Sequence, residues 1–341
     1  MNRHSYSIVL EITPTSALTH GQGTNGNEQE LHRRSFNVHN ADTGRWERLD
    51  IPCVSGAAMK STLREHAGLL FLELAGISKL NRDGLRLLFK GGRLSGSSAS
   101  ANLDEARRLR DLLPPLSVFG AMDGAMVMRG RLSVSCVMPY TESVVQHGLV
   151  DLAGAAPAIL HSGAPALPDH MVSTPRPITY YRHDMKTASY AALMPPAERA
   201  AIEDKANARK GKAAPKAERR EANESMPHAF QAIAPGTPMV CTLRLMDATE
   251  TEAACLMLAV TRWTASGGHL GGAKSKGHGA CRVRVAHAVR TGSAGPVPVA
   301  MADAGVLVSV EDVDPGAAAV AERYAAHVRA NAEAIAAELA Q

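Results

Sequence analysis

The chain has 341 residues, of which 45% are hydrophobic and 4% aromatic, so it can bury a sizeable core but has too few rings to hold a ligand mainly by stacking. Its five cysteines are odd in number and none lies at Cys-x-x-Cys spacing, which argues against a disulfide framework and a zinc knuckle. The net charge of +4 combines +9 over residues 1–300 with −5 over residues 301–341. A basic body of this kind suits a polyanionic partner.

The hydropathy pattern bears on the compartment. The longest uncharged apolar stretch runs only from Ala253 to Val260, which is too short for a membrane span, and no segment has the pattern of a signal peptide. We therefore expect a protein of the reducing cytoplasm with no membrane partner.

The first part of the chain predicts a strand, a loop and a helix. Residues 5–12 are rich in β-forming side chains and precede Pro14, so they predict an opening strand. Residues 13–49 are polar and glycine-rich and predict a long loop. A helix is predicted over residues 57–74, with Ser55 as its N-cap.

The middle of the chain loses its regular pattern. A short helix is predicted over residues 104–113, ending before two prolines, and a strand over residues 131–138. Residues 139–237 are rich in proline, alanine and charge and predict an insertion. Within it, residues 205–220 hold seven bases and one acid, which fits either an exposed helix or a nucleic-acid contact.

Regular structure returns after the insertion. A strand is predicted over residues 239–246, a helix over 250–263 and a strand over 281–289. Strand, helix, strand then occurs twice along the chain, which is the ferredoxin-like plan shared with RNA-recognition folds. A final amphipathic helix from Pro315 should dock on its own domain or on a neighbouring subunit.

The strongest local motif is the segment Gly267–Gly279, in which six glycines surround Lys274, Ser275 and Lys276. Glycine lets a backbone approach phosphates closely, and the lysines add positive charge. A nucleotide P-loop runs from a strand into a helix, whereas this segment runs from a helix into a strand. A phosphate-backbone contact and a merely flexible connection both remain open for this motif alone.

The helix that begins after Ser55 is a second candidate anion site. A capped helix start presents backbone N–H groups, and Lys60 and Arg64 follow at i, i+4. Arg33 and Arg34 lie in the segment before it. A solvated helix face is the other interpretation of the same pattern.

Three segments, in order, resemble the RAMP family. Ile51–Arg64 resembles its Ile-Pro-Gly-Ser-Ser-Leu-Lys-Gly-x-x-Arg signature, with Cys53 in place of the usual glycine. Leu116–Gly120 is similar to a second landmark, and Gly267–Gly279 to the closing Gly-Gly-x-x-Ser-x-Gly-x-Gly loop. The resemblance spans roughly residues 5–290 without the insertion. Within the family the chain is most similar to the backbone subunit that coats guide RNA in class 1 CRISPR effector complexes, of the type IV branch first and type III next.

The resemblance implies an α+β, ferredoxin-like palm made of residues 1–138 and 238–300. Residues 139–237 would form a thumb-like insertion, and residues 301–341 an acidic segment with the amphipathic helix. The implied partners are guide RNA (crRNA), target nucleic acid (DNA favoured over RNA), copies of the chain itself and other effector subunits. The residues expected to bind RNA are Ser55, Lys60, Arg64, Lys274, Ser275, Lys276, Arg33 and Arg34.

Catalysis is not expected. Type III backbone subunits cut target RNA with an aspartate in the loop after the first strand, but His20–Glu30 contains no aspartate. Metal binding or proton abstraction would need a carboxylate there. We therefore expect no catalytic residue, metal or cofactor. The alternative is a RAMP-fold RNA endonuclease, in which Glu28 or Glu30 replaces the aspartate, or His20 or His32 acts as the base.

Overall fold

A computed structural model describes residues 3–25, 28–40, 43–93, 102–152, 166–180, 196, 226–292, 295–298 and 315–340. The chain divides into two compact units. The first consists of residues 1–20, 32–174 and 233–341, and the second of residues 21–31 and 175–232. The predicted basic run over residues 205–220 lies outside the described residues.

The strands, in chain order, are β1 His4–Pro14, β2 Gly21–Asn25, β3 Glu28–Leu31, β4 Arg33–Asn40, β5 Arg45–Pro52, β6 Gly92–Arg93, β7 Ala121–Asp123, β8 Met126–Met128, β9 Leu132–Val134, β10 Met138–Pro139, β11 Ser173–Tyr180, β12 Met226–Ile233, β13 Met239–Ala248, β14 Cys281–Gly292 and β15 Gly295–Pro298. The helices are α1 Gly56–Ala75, α2 Arg82–Leu85, α3 Leu103–Leu112, α4 Pro114–Phe119, α5 Glu142–Gln146, α6 Glu250–Ala265, α7 Pro315–Ala330 and α8 Ala332–Leu339. A π-helical turn, Arg86–Lys90, continues α2, and 3₁₀ turns lie at Asp169–Met171 and Lys274–Lys276.

An antiparallel sheet forms the base of the first unit. Its strands lie in the order β15, β14, β1, β13, β10, and β9 also pairs with β13. Strand β1 is antiparallel to both neighbours, with Ile8 opposite Leu243 and Ala288. Along the chain, the main strands of this sheet and the two long helices between them follow the order β1, α1, β9 with β10, β13, α6 and β14. The α+β class and the repeated strand, helix, strand order are therefore confirmed, although the strand predicted over residues 131–138 is divided between β9 and β10.

Both faces of this sheet are covered. Val9 belongs to a buried cluster with Tyr140 and Val240. Successive side chains of a strand point to opposite faces, so the buried Ile8 and Leu10 pack on the other side. Helices α1 and α6 contact each other, and α6 also contacts β13. Most buried side chains of the core are aliphatic, as the low aromatic content predicts, although Trp263, Tyr324 and Phe71 are fully buried as well.

Helix α1 begins and ends as its sequence predicts. The Ser55 side chain accepts a hydrogen bond from the Ala58 N–H at 3.2 Å, which stabilises a helix start by about 1 kcal/mol. Gly76 ends the helix in the left-handed conformation with φ 69°. Met59 and Leu63 are fully buried. The predicted helix over residues 57–74 and its Ser55 cap are both confirmed.

The prediction of a long loop over residues 13–49 is wrong. β4 and β5 form a two-stranded antiparallel ribbon, and β2 and β3 pair within the second unit. Most side chains of the ribbon are exposed on both faces, so it lacks the alternation of apolar and polar residues by which a half-buried strand is recognised. Its strands are held by backbone pairing from Arg33 with Pro52 to Asn40 with Arg45.

The C-terminal helix docks on its own unit. Helix α7 contacts α6 and α1, and α8 contacts α2 and α1. Buried apolar side chains hold both helices, namely Tyr324, Val328, Ile335 and Leu339. Glu338 accepts a hydrogen bond from Arg108 of α3. The predicted amphipathic spacing is confirmed, and its docking partner is the first unit.

The boundaries of palm and thumb stay predictions. The first unit includes residues 139–174, which the sequence places in the thumb, and the second unit combines residues 21–31 with 175–232. No helix in the described part of the chain is long and apolar enough to cross a membrane.

Candidate nucleic-acid interface

The predicted anion site at the start of α1 has a histidine against its cap. Ser55 Oγ lies 3.2 Å from His20 Nε2, and the rings of His20 and His32 meet edge to face at 5.1 Å between centroids. Burial lowers the pKa of His20, and the neighbouring His32 lowers it further. A neutral His20 can hydrogen-bond Ser55 without adding charge at this helix start.

The glycine-rich loop is anchored to the segment that follows β1. The Gly272 N–H donates to the Thr19 carbonyl at 2.7 Å, and Thr19 Oγ1 donates to the Gly272 carbonyl at 3.1 Å. Gly271 has φ +79°, and a Cβ there would lie 2.2 Å from the Thr19 carbonyl oxygen. Only glycine fits such an approach, so the loop has a defined shape and is not just a flexible connection.

This anchoring brings two predicted motifs together. Thr19 holds the glycine-rich loop, and the next residue, His20, contacts Ser55 at the start of α1. The loop then presents Lys274, Ser275 and Lys276 on an exposed 3₁₀ turn. The sequence spacing of more than 200 residues between the motifs conceals this proximity.

The glycine-rich loop also lies near His66 in the middle of α1. The pKa of His66 is lowered mainly by burial, Glu65 opposes that shift, and the nearby cations Arg262 and Lys274 add to the lowering. Lys274 therefore lies close enough to α1 for its charge to lower the pKa of His66. The first three turns of the same helix carry Lys60 and Arg64.

The Lys60 and Arg64 side chains each donate a hydrogen bond to a backbone carbonyl of the protein. Lys60 Nζ donates to the Leu132 carbonyl at 2.8 Å, and burial lowers its pKa, with a further contribution from Arg64. Arg64 Nη2 donates to the Phe119 carbonyl at 2.7 Å, its guanidinium lies 5.9 Å from the Phe119 ring centroid, and burial lowers its pKa. Arg64 also lies against Gly91, where a Cβ would come within 1.9 Å of Nη1. These contacts fasten α1 to its neighbours.

A basic groove of about 620 Å³ opens beside the first turn of α1. Its lining includes Gly56 and Ala57 from the helix start and four cationic side chains, with Asp247 as the acidic member. The cations are Lys60, Arg110, Arg129 and Arg131. A groove with four bases and one acid, next to a helix N-terminus, is suited to polyanion contact.

The arginines of this basic groove differ in how far they are paired. Arg131 donates to the Asp247 carboxylate at 2.8 Å and to Glu252 at 3.1 Å, and Arg110 donates to the Arg129 carbonyl at 2.8 Å. Burial lowers the pKa of Arg110, and the charge of Arg131 lowers it further. The exposed Arg129 side chain has no partner among the described residues. Arg129 is therefore the cation of this groove most available to a ligand.

Arg110, Arg129 and Arg131 are absent from the sequence-derived site. A signal existed, because Arg129-Gly130-Arg131 places two arginines at the start of the strand predicted over residues 131–138. The RAMP-like landmark Leu116–Gly120 lies beside them: Ser117 of α4 is buried and donates to Glu252, the residue that also pairs with Arg131. That landmark therefore has a structural role next to the groove.

Arg33 and Arg34 begin β4. Arg33 donates to the Asp50 carbonyl at 3.3 Å within the β4–β5 ribbon. Arg34 Nη1 donates to Cys136 Sγ at 3.2 Å and its guanidinium lies 5.4 Å from the Phe36 ring centroid. Both arginines are exposed on the ribbon. Among the described residues no group of three or more His, Cys, Asp or Glu side chains is arranged to hold a metal ion.

The fold resembles one found in a CRISPR complex. A chain from a solved structure titled "Type IV-B CRISPR Complex" superposes with a TM-score of 0.50 and 19% sequence identity, covering 86% of this chain and 93% of that chain. No protein-family model matches the chain, and no curated protein matches it. At this level of identity the likeness shows a shared fold over most of both chains.

Proposed function

We propose that this chain is a RAMP-family subunit of a class 1 CRISPR effector complex, of the type IV branch, which binds guide RNA along its backbone and does not catalyse a reaction. The observation that carries the proposal is the shared fold with a chain of the Type IV-B CRISPR complex over 86% of this chain. The ferredoxin-like assignment of the palm is supported by the sheet order β14, β1, β13, β10 and by the repeated strand, helix, strand order.

The RNA-binding role is supported by where the cations lie. The exposed turn Lys274–Lys276 and the basic groove with Arg129 offer positive charge near α1, while the glycine-rich loop has a defined backbone shape. Contacts of this kind bind the phosphates of the RNA backbone and leave the bases available for pairing. In the proposal, guide RNA and target nucleic acid, with DNA favoured over RNA, therefore pair with each other while the protein holds the backbone.

The remaining partners follow from the same proposal. Copies of the chain would stack head to tail along the guide, because a heterologous contact that does not close generates an open helix. Other effector subunits would bind at the ends of that filament. The second unit, residues 21–31 and 175–232, is proposed to contain the thumb.

The test is expression of the chain together with a CRISPR array, followed by purification and sequencing of the bound nucleic acid. The proposal expects array-derived RNA in large particles. The triple variant Arg129→Ala/Lys274→Ala/Lys276→Ala should retain clearly less RNA than wild type. Arg329→Ala is the control, because it removes one exposed cation from α7 that neither lines the groove nor belongs to the loop. A nucleic-acid-free monomer from wild type would refute the proposal.

The RNA endonuclease alternative has one contact in its favour. His20 and His32 lie edge to face, and the lowered pKa of His20, caused mainly by burial, favours the neutral form that a general base requires. Target RNA paired to the bound guide should stay whole with magnesium present if the subunit is non-catalytic. Cleavage that is lost in His20→Ala but kept in Arg329→Ala would instead establish the endonuclease.

A further inference from the structure

Two cysteines lie next to each other beside the start of α1. Val54 and Val137 form an antiparallel bridge, with N–O distances of 3.1 and 2.9 Å. Cys53 precedes the first valine and Cys136 precedes the second, so both thiols lie one residue from the bridge on neighbouring segments. In this antiparallel register Cys53 is opposite Met138, so Cys53 and Cys136 are diagonal neighbours on the same face. Cys136 packs against the buried cluster that contains Cys53, together with Ile51, Met138 and Val144.

Positive groups surround Cys136. Arg34 Nη1 donates to Cys136 Sγ at 3.2 Å, and Gly56 at the start of α1 lies against Ser135, the residue before Cys136. The pKa of Cys136 is lowered well below its usual range, first by the hydrogen bond from Cys53 and then by Arg34 and Gly56, against an opposing effect of burial. A helix N-terminus and an adjacent arginine are the features that stabilise a thiolate.

The two thiols differ in exposure. Cys53 is fully buried, and its hydrogen bond to Cys136, together with burial, raises its pKa. Cys136 is only partly buried, so a small oxidant can reach it. The pair therefore combines an accessible thiolate with a protonated thiol behind it.

The other cysteines lack these features. Burial raises the pKa of Cys241, Cys255 and Cys281 to about 12 each. Cys241 lies near Ser135, whose carbonyl its thiol reaches at 3.6 Å, which makes it the competing neighbour of Cys136. Cys281 donates to the Gly279 carbonyl at 3.3 Å, at the base of the glycine-rich loop.

We propose that Cys136 and Cys53 form a peroxide-sensitive modification site, in which Cys136 is oxidised first and Cys53 resolves it to a disulfide. In the first step the Cys136 thiolate attacks hydrogen peroxide, an S–O bond forms, the O–O bond breaks, and hydroxide leaves. The sulfur loses two electrons and the peroxide gains them, giving a sulfenic acid. In the second step the Cys53 sulfur attacks that sulfenic sulfur, an S–S bond forms, the S–O bond breaks, and the Cys53 proton leaves with the hydroxyl as water.

The first step prepares the second. The Cys53 pKa is raised chiefly by the hydrogen bond to the Cys136 thiolate, and oxidation of Cys136 removes that negative charge. Cys53 then gives up its proton more readily, beside the sulfur it must attack. This cysteine chemistry is separate from the proposed function, because it does not depend on RNA binding.

The test treats reduced, full-length protein with substoichiometric hydrogen peroxide at pH 6.5 in the presence of a chelator. Remaining thiols are then alkylated and every cysteine is assigned by peptide mass spectrometry. Cys136 should be consumed at least about 10-fold faster than Cys281, because an ordinary thiol is largely protonated at that pH. The product should be a peptide pair that joins Cys53 to Cys136.

Two variants separate the roles. Cys53→Ser should leave Cys136 as a sulfenic acid that a dimedone probe traps, and Arg34→Met should slow its consumption several-fold. Cys281→Ser is the control and should change neither result. Equal reaction rates for Cys136 and Cys281 in the wild-type protein would overturn the proposal, as would a disulfide from Cys136 to Cys241 in place of Cys53.

Discussion

Two sets of basic residues in the first unit differ in their hydrogen bonding and in their exposure to solvent. Lys60 and Arg64 lie within hydrogen-bonding distance of the Leu132 and Phe119 carbonyls and are partly removed from water. Arg129 and the exposed turn Lys274–Lys276 face solvent. All of them fit the same sequence description, a cation beside a glycine or a helix start. The first set fastens helix α1, and the second set is the one that can neutralise phosphates.

The role of a cation in a basic motif therefore depends on its contacts in the fold as well as on its residue type. The residue types in the Ile51–Arg64 segment resemble an RNA-binding signature, yet the structure gives its two cations neighbouring carbonyls as partners. If the chain binds RNA as proposed, a cation so placed contributes mainly by holding the helix start in position. Substitutions in the two sets should therefore affect stability and affinity in opposite proportions.

The largest effect is expected from Arg64→Ala. The change removes a hydrogen bond to the Phe119 carbonyl and the guanidinium contact with the Phe119 ring, and it leaves a cavity beside Gly91. We expect the free energy of unfolding to fall by about 2–3 kcal/mol, measured by urea denaturation. Arg107→Ala, which breaks only an exposed ion pair with Asp104, should change it by less than about 0.5 kcal/mol. Equal effects of the two substitutions would erase the distinction between the sets.

Gly271→Ala tests whether the turn that carries the exposed lysines is rigidly anchored. A Cβ there would lie 2.2 Å from the Thr19 carbonyl oxygen at φ +79°. The matched control is Gly277→Ala, which has φ +78° but nothing within 4 Å. Both pay the cost of a left-handed residue, so only Gly271→Ala should lose a further ~1–2 kcal/mol of stability through the clash. Thermal unfolding that is the same in both would show that the loop yields freely.

Arg129→Ala should reduce RNA affinity with almost no effect on stability. Its side chain is exposed and has no partner in the described part of the chain, so its removal costs the fold less than about 0.5 kcal/mol. Loss of one phosphate contact should weaken binding about 3- to 10-fold, uniformly across RNA sequences. Fluorescence anisotropy with several unrelated RNAs measures this. A change that depends on the RNA sequence would indicate base recognition.

The smallest effect concerns pH. The pKa of His20 and the pKa of His66 are both lowered, mainly by burial, so the folded chain binds fewer protons than the unfolded chain just below pH 6.5. Stability should therefore decrease as the pH falls from 7 towards 5, and the loss levels off once both histidines are protonated in the folded state. His20→Gln should reduce that decrease, as followed by urea denaturation at each pH. An unchanged pH profile would show that His20 is not held neutral.

Much of the fold is predictable from local patterns. The Ser55 cap, the apolar face of α1, and the strand, helix, strand order around α6 all follow from residue type and periodicity. The β4–β5 ribbon is not, because its faces are both largely exposed and its strands are specified by pairing with each other. Backbone pairing between two polar segments leaves little hydrophobic signature.

The site is predictable in part. Lys274, Ser275 and Lys276 were identifiable because glycines and lysines occur together in one segment. The contact of Thr19 with that loop, and of His20 with Ser55, depends on tertiary proximity that no local motif carries. Arg110, Arg129 and Arg131 converge from α3 and from the turn before β9, so their common groove becomes visible only in three dimensions.

The most direct test of the account is the salt dependence of binding to array-derived guide RNA. The logarithm of affinity falls linearly with the logarithm of salt concentration, and each lost phosphate contact reduces the slope by about 1. The triple variant Arg129→Ala/Lys274→Ala/Lys276→Ala should lower the slope by about 2–3 while it unfolds at the same urea concentration as wild type. Arg329→Ala should leave the slope unchanged. An unaltered slope in the triple variant would contradict the assignment of these exposed cations to RNA.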